Sequence, residues 1–463
     1  MVINSNKQMA FFKEEKSAFR PIHYLGSKLR VLETISNIID EIDPTFGRVY
    51  DVFSGSGTVS SYLGRKRPVT SVDIQEYSRI LTSAVLQPFY EKDLLEVKNR
   101  LSEYKVTDLQ KCIEPLIKYE ECALAKVCEN NIFDICELVE YGSILPFINN
   151  ERENISDGLK KALTSTVYKL QDMKLINSEN SITSRYFGGA YFSFKQASEL
   201  DNLLSMANSF DRRVKDIIIA ATLSTASEIV NTIGKQFAQP LKAIDGKGTP
   251  KKSIVSKIIK DRSIDVYQVF EEQINKYFSL EKGNFNHICL CSNYYDALDN
   301  LSSDTKVVYA DPPYTRYHYS RYYHVLETMS LRDNPEITMV KTNGEIKTSR
   351  GLYRTERHQS PFSIKTKAKE AFNNLFCKVS EKNVSLILSY SPYDAEKEST
   401  PRVQTVSELL YIANKYFNKV ELLSIEGFTH SKLNAVDKNF EIPTDAEILI
   451  ICTEANGGER NKK

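Results

Sequence analysis

The chain contains no tryptophan, and none of its apolar runs approaches the ~18 residues that a membrane span requires. Its eight cysteines, spread over 463 residues, are too few for a disulfide scaffold, so a reducing cytoplasm is the expected compartment. Met1 to Arg20 has no apolar stretch followed by a small-residue cleavage site, and no secretory leader is expected. An excess of charge of one sign is also missing. The 61 basic and 60 acidic residues leave +1, so a polyanionic partner must be sought in local patches. No internal repeat, low-complexity tract or Gly-Lys-Ser/Thr phosphate loop is present. With tryptophan absent, any stacking platform must use the 26 tyrosines and 22 phenylalanines.

What is present is ordinary globular composition, with 41% apolar and 26% charged residues. At roughly 150 residues per domain, the length suits about three domain-sized units or one domain with long insertions. Arg20 to Lys28 leads into a helical pattern in which Leu32, Ile35, Ile39 and Ile42 share one face, with Ser27 a possible cap. Arg48 to Phe53 reads as a strand, Ser54-Gly55-Ser56-Gly57 as a turn, Thr58 to Leu63 as a helix and Val69 to Val72 as a second strand ending at Asp73. Together these make one βαβ unit. Residues 80–283 read as mostly helical. Further strands are expected at 287–291, 307–310, 384–388 and 447–452, so the whole reads as an α/β sheet with a large helical insertion.

Two segments carry chemistry. Asp311-Pro312-Pro313-Tyr314 follows an apolar strand, where ligands bind in open α/β sheets. Two prolines remove two donors and stiffen the turn. A carboxylate and free carbonyls then suit a ligand that donates two hydrogen bonds from one small group, such as an aromatic amine, with Tyr314 as a stacking face. In Asp51 to Gly57 the glycines allow close backbone approach to a ligand. Ser60 stands where a dinucleotide fingerprint has its third glycine, which weakens a nicotinamide reading. Asp73 is suited to a ribose diol. The bland readings are a capped proline turn and an ordinary glycine turn.

The motifs in this order resemble those of Dam-like DNA adenine-N6 methyltransferases. Tyr24-Leu25-Gly26-Ser27-Lys28 resembles the N-terminal cofactor motif, Asp51–Gly57 the glycine loop, Asp311–Tyr314 the catalytic tetrapeptide, and 289–298 the strand whose Asp (here Asp296) contacts the cofactor adenine. Tyr24 stands where relatives often have Trp, and Ser27 where they often have Gly. The resemblance implies a Rossmann-like class I methyltransferase fold with a mixed, mostly parallel sheet. The catalytic domain would be 20–80 plus 285–455, and 81–284 a helical DNA target-recognition region. It implies S-adenosylmethionine as cofactor, held by Tyr24, Lys28, Asp51, Phe53, Gly55, Gly57, Asp73, Asp296 and Asp311. Catalysis would fall to Asp311, Pro312, Pro313 and Tyr314 on an adenine flipped out of double-stranded DNA. A separate restriction endonuclease acting on the same site is the other implied partner. RNA base-amino methylation, or a non-catalytic DNA-recognition subunit, are the rival readings.

For DNA contact, residues 235–262 hold eight basic residues, Lys251 and Lys252 among them, against two acids, and read as an exposed loop. The tract after the tetrapeptide interleaves aromatics with Arg316 and Arg321, and Arg354 and Arg357 continue it. Cys112, Cys122, Cys128 and Cys136 cluster without a Cys-x-x-Cys pair, so helix packing is expected of them rather than metal binding.

Overall fold

Apolar residues placed at helical spacing form α1 (Leu32–Ile42), which buries Leu32, Ile35 and Ile39. Each such burial is worth about 1.5–3 kcal/mol. The computed structural model of the chain describes residues 19–24, 28–104, 107–151, 154–313, 319–342, 344–391, 403–426 and 445–457. Ser27, the expected cap, lies outside them.

Among the described residues the strands are β1 (Arg48–Asp51), β2 (Val69–Asp73), β3 (Ile288–Cys291), β4 (Thr305–Ala310), β5 (Met339–Thr342), β6 (Glu345–Thr348), β7 (Ser385–Tyr390), β8 (Phe417–Glu426) and β9 (Asp445–Ala455). Seven form one sheet in the order β3-β2-β1-β4-β7-β9-β8, and β5 and β6 make a separate hairpin. The first five strands in that order pair in parallel, and β9 runs antiparallel to both β7 and β8. This is the Rossmann-like, mostly parallel mixed sheet. Its central strands are buried along almost their whole length, as strands covered by helices on both faces are. The chain winds outward through β1, β2 and β3, then returns to lay β4 on the other side of β1. Ligands bind at the carboxyl ends of the strands flanking such a reversal.

α2 (Thr58–Leu63) follows the glycine turn, and α3 (Glu76–Leu86) follows β2. A long helical excursion then precedes β3. Its packing divides in two. Helices Phe194–Ala207, Arg212–Ile229 and Val266–Phe278 share one core with α3 and the sheet, in which Leu81, Leu203, Ile217 and Phe270 meet Val49, Val69 and Val307. Helices Asp108–Val127 and Asp157–Asp172 build a second core around Ile113, Leu116, Leu159 and Leu163.

The reading of 235–262 as an exposed basic loop holds for the turn at 246–249 and needs correcting on either side of it. Phe237, Leu241, Ala243 and Ile244 are buried, and Val255–Arg262 is helical. Lys235 and Lys257 both pair with Asp261, at 2.9 Å, and buried Arg262 pairs with Glu120. Apolar residues between the lysines anchor the segment, and internal acids absorb part of its charge. Cys112 and Cys136 are buried, and Cys122 and Cys128 are exposed. No helix among the described residues is long and apolar enough to cross a membrane.

Candidate active site

At the carboxyl ends of β1, β2, β3 and β4 lies a cavity open to solvent. Val52 and Phe53 reach it from β1, Asp73 and Gln75 from β2, Ser292 to Tyr294 from β3, and Asp311 to Pro313 from β4. Tyr24 and Lys28 come from the segment before α1. Tyr319, Ser320 and residues 358–361 close the rim. Two motifs more than two hundred residues apart in the chain thus share one wall.

The glycine turn is built by conformation. Gly55 (φ +53°) and Gly57 (φ +77°) are both left-handed, which is costly for residues with a Cβ. A Cβ on Gly55 would lie 2.7 Å from the Tyr24 hydroxyl, and one on Gly57 would lie 3.0 Å from the Thr82 Cα. Asp73 ties this turn to the next strand. Its Oδ2 accepts the Gly55 N–H and its Oδ1 the Gln75 N–H, both at 3.0 Å. Burial raises its carboxyl above the usual carboxylate range, and those N–H donors oppose the rise. A carboxylate has about four acceptor positions, so a diol could still be taken.

Asp51 lies behind the turn rather than on the cavity wall. Its side chain is buried and accepts the Ser60 hydroxyl at 2.6 Å. Burial pushes its carboxyl up to about 7, Ser60 pulls it down, and Asp311 and Asp73 add to the rise. Phe53 forms an aromatic wall with Tyr294 (5.4 Å between centroids) and Phe362 (5.2 Å). Tyr24 stacks on Tyr323 at 5.0 Å and 14°.

Lys28 is buried among acids. Its Nζ lies 2.7 Å from Asp311 Oδ2 and 3.5 Å from Glu447 Oε1, and Glu447 also accepts the Ser389 hydroxyl. Lys28 therefore links the β4 terminus to the reversed strand β9.

Asp296 is, with Asp51, Gly55 and Gly57, an expected cofactor residue that does not line the cavity. It is exposed on helix Tyr294–Asp299 and off the cavity wall. β3 ends at Cys291, so the positions that face the cavity are 292–294, and two residues later the helix has turned away. Tyr314 and Arg316 lie outside the described residues. Of the expected DNA contacts, Lys252 is exposed and Lys251 half-buried, both away from the cavity. Arg354 is buried and paired with Asp333 at 2.6 Å. Arg321 and Arg357 both lie over the Tyr353 ring.

A family model described as "D12 class N6 adenine-specific DNA methyltransferase" matches residues 24–232 and 251–388, which is most of the chain. The chain belongs to the D12 class of N6 adenine-specific DNA methyltransferases. Among curated proteins, this D12-class chain is similar to "Modification methylase LlaI" of Lactococcus lactis subsp. lactis, at 23% identity over 376 residues. It is also similar to "Type II methyltransferase M.FokI" of Planomicrobium okeanokoites, at 23% over 378 residues. Each match takes in 80% of this chain but only 46% and 44% of the relatives, so the D12-class chain spans a little under half their length.

Tyr294, Ser320 and Glu447 are cavity or network residues that reading the sequence missed. Tyr294 could have been found by placing ligand contacts immediately after the strand end. Glu447 carries no local signal, because its neighbour Lys28 is some four hundred residues away in the chain.

Proposed function

We propose that this chain transfers a methyl group from S-adenosylmethionine to the exocyclic N6 of an adenine flipped out of double-stranded DNA. The observation that carries the reading is that Asp311 and Pro312 share one cavity with Phe53 and with Asp73, the carboxylate that holds the Gly55 turn. The donor set fits the cofactor: an aromatic wall for adenine and a carboxylate for the ribose hydroxyls. When bound, S-adenosylmethionine supplies an electrophilic methyl.

The chain's own residues prepare the nucleophile. An adenine amino nitrogen is weakly nucleophilic because its lone pair is delocalised into the ring. Asp311 accepts one amino hydrogen and the Pro312 carbonyl the other, which localises the pair on nitrogen. Asp311 then takes the proton the nitrogen gives up as the N–CH₃ bond forms. Lys28 holds Asp311 in place and balances its charge. Tyr314 stacks on the flipped base. The work is positioning and preorganised electrostatics.

Residues 20–80 and 285–455 serve as the catalytic domain and 81–284 as the target-recognition region, with Lys251, Lys252 and Arg316 as DNA contacts. Asp51 supports the cofactor by holding the glycine turn. Asp296 remains a cofactor contact only if its helix rotates. The chain acts in the cytoplasm as the modification arm of a restriction-modification system, with a separate endonuclease reading the same site. In support, one relative is a modification methylase by name. The test is labelled methyl transfer to duplex DNA and to RNA, followed by mapping of the modified base. N6-methyladenine at one recurrent DNA sequence is expected. Transfer to RNA alone, or none with either, would overturn the reading.

A further inference from the structure

Arginines on this surface divide sharply by partner. Arg350 is held by Glu140 at 3.0 Å and Arg354 by Asp333 at 2.6 Å. Arg321 and Arg357 have no carboxylate within ion-pair distance among the described residues, yet they stand together. Their guanidinium carbons lie 4.8 and 5.1 Å from the centroid of the same ring, Tyr353. Both distances fall within the range in which a ring face attracts a cation. Arg357 is half-buried, and its Nε is buried without a hydrogen-bond partner.

The ring is a firm seat. Tyr353 is buried, its hydroxyl donates to the Ala238 carbonyl, and it packs edge-on against His324 at 4.9 Å. His324 is itself fully buried, and burial holds its imidazole down at about 3, so it adds no third positive charge. The seat is also next to the cavity. Ser320, which precedes Arg321, and His358, which follows Arg357, both line it.

Two fixed guanidinium groups with no acid between them repel each other, and an anion relieves that repulsion. Arginine's planar fork suits phosphate oxygens, often two at a time. We propose that Arg321 and Arg357, seated on Tyr353 at the cavity rim, form a clamp for a backbone phosphodiester of the DNA beside the nucleotide whose base enters the cavity. The proposal rests on the methyltransferase reading above and adds a named phosphate site to it. A phosphate grip of this kind positions the duplex and carries no sequence information.

The test is duplex binding by the full chain over a salt series, with Arg321→Gln, Arg357→Gln and the double variant, on DNA with and without the methylated sequence. Each substitution should lower affinity about tenfold on both duplexes and reduce the slope of log affinity against log salt by about one. S-adenosylmethionine affinity and the thermal midpoint should stay at wild-type values. Glutamine keeps much of the packing on Tyr353. If the midpoint nevertheless falls, Arg321→Lys and Arg357→Lys, which keep the charge, should restore the salt slope. An unchanged slope in a wild-type-like fold, or a loss confined to cofactor binding, overturns the clamp alone. A wild-type chain that binds duplex DNA but transfers no methyl would sink the methyltransferase reading and leave the salt slopes to judge the clamp.

Discussion

The Lys28 ammonium rests 2.7 Å from the Asp311 carboxylate, in a site where the lysine side chain is almost wholly buried. A lysine so placed has two possible tasks, to hold Asp311 or to meet the cofactor, and they predict different kinetics. Lys28→Met should lower the single-turnover methyl-transfer rate by about 10²-fold, because Asp311 and Glu447 lose the charge between them. The KM for S-adenosylmethionine should move little. A large KM change with the rate intact would assign Lys28 to the cofactor instead.

The two glycines of the turn should fail in different ways. In Gly55→Ala the new methyl meets a side chain, Tyr24, that can swing toward the cavity. The left-handed φ should cost about 1–2 kcal/mol of stability with the fold retained, and cofactor affinity should fall as Tyr24 is displaced. In Gly57→Ala the obstacle includes the Thr82 backbone, which cannot yield. Stability should fall by about 2 kcal/mol or more. Calorimetric cofactor titration and urea melts separate the two outcomes.

Asp51 gives a pH signature. Its folded carboxyl is raised to about 7, above the 3.8 of an ordinary aspartate. The folded chain therefore binds this proton more tightly than the unfolded chain. The resulting stability is present in full below about 3.8 and is lost as pH climbs to about 7. Relative to Asp51→Asn, the wild type should gain stability as pH drops from 8 to 5. Parallel stability curves for the two proteins, from urea unfolding at each pH, would refute this.

The cofactor wall can be located by one comparison. Tyr294→Ala should weaken S-adenosylmethionine binding by about 1–3 kcal/mol, the scale of base–aromatic stacking. Asp296→Ala, on the exposed face of the same helix, should bind it as the wild type does. Equilibrium binding decides between the two, and a loss confined to Asp296→Ala would restore the role expected from the sequence.

The segment from α1 to β2 was legible because each of its elements is specified locally. Leu32, Ile35 and Ile39 mark a helix face, glycines mark the turn, and Val69–Val72 marks a buried strand. The tetrapeptide was legible because Val307 to Ala310 is apolar on both faces. The edge strand β8 was not, because Leu422 and Leu423 are both exposed and blur its alternation. The β5–β6 hairpin was missed for a similar reason, since Met339, Val340 and Ile346 face solvent. Pairings such as Lys28 with Glu447 depend on tertiary geometry and leave no mark in the local pattern.

Because the helical excursion is proposed to carry target recognition, its two-part packing sets a limit on how binding specificity could be re-engineered. Residues 81–284 could not be exchanged with a relative as one cassette, because Leu203, Ile217 and Phe270 belong to the same interior as the sheet. The portable unit is smaller. The helices Asp108–Val127 and Asp157–Asp172 share an interior apart from the sheet's, but it closes with Phe194, Leu241, Ile244 and Ile258, which would have to travel with them.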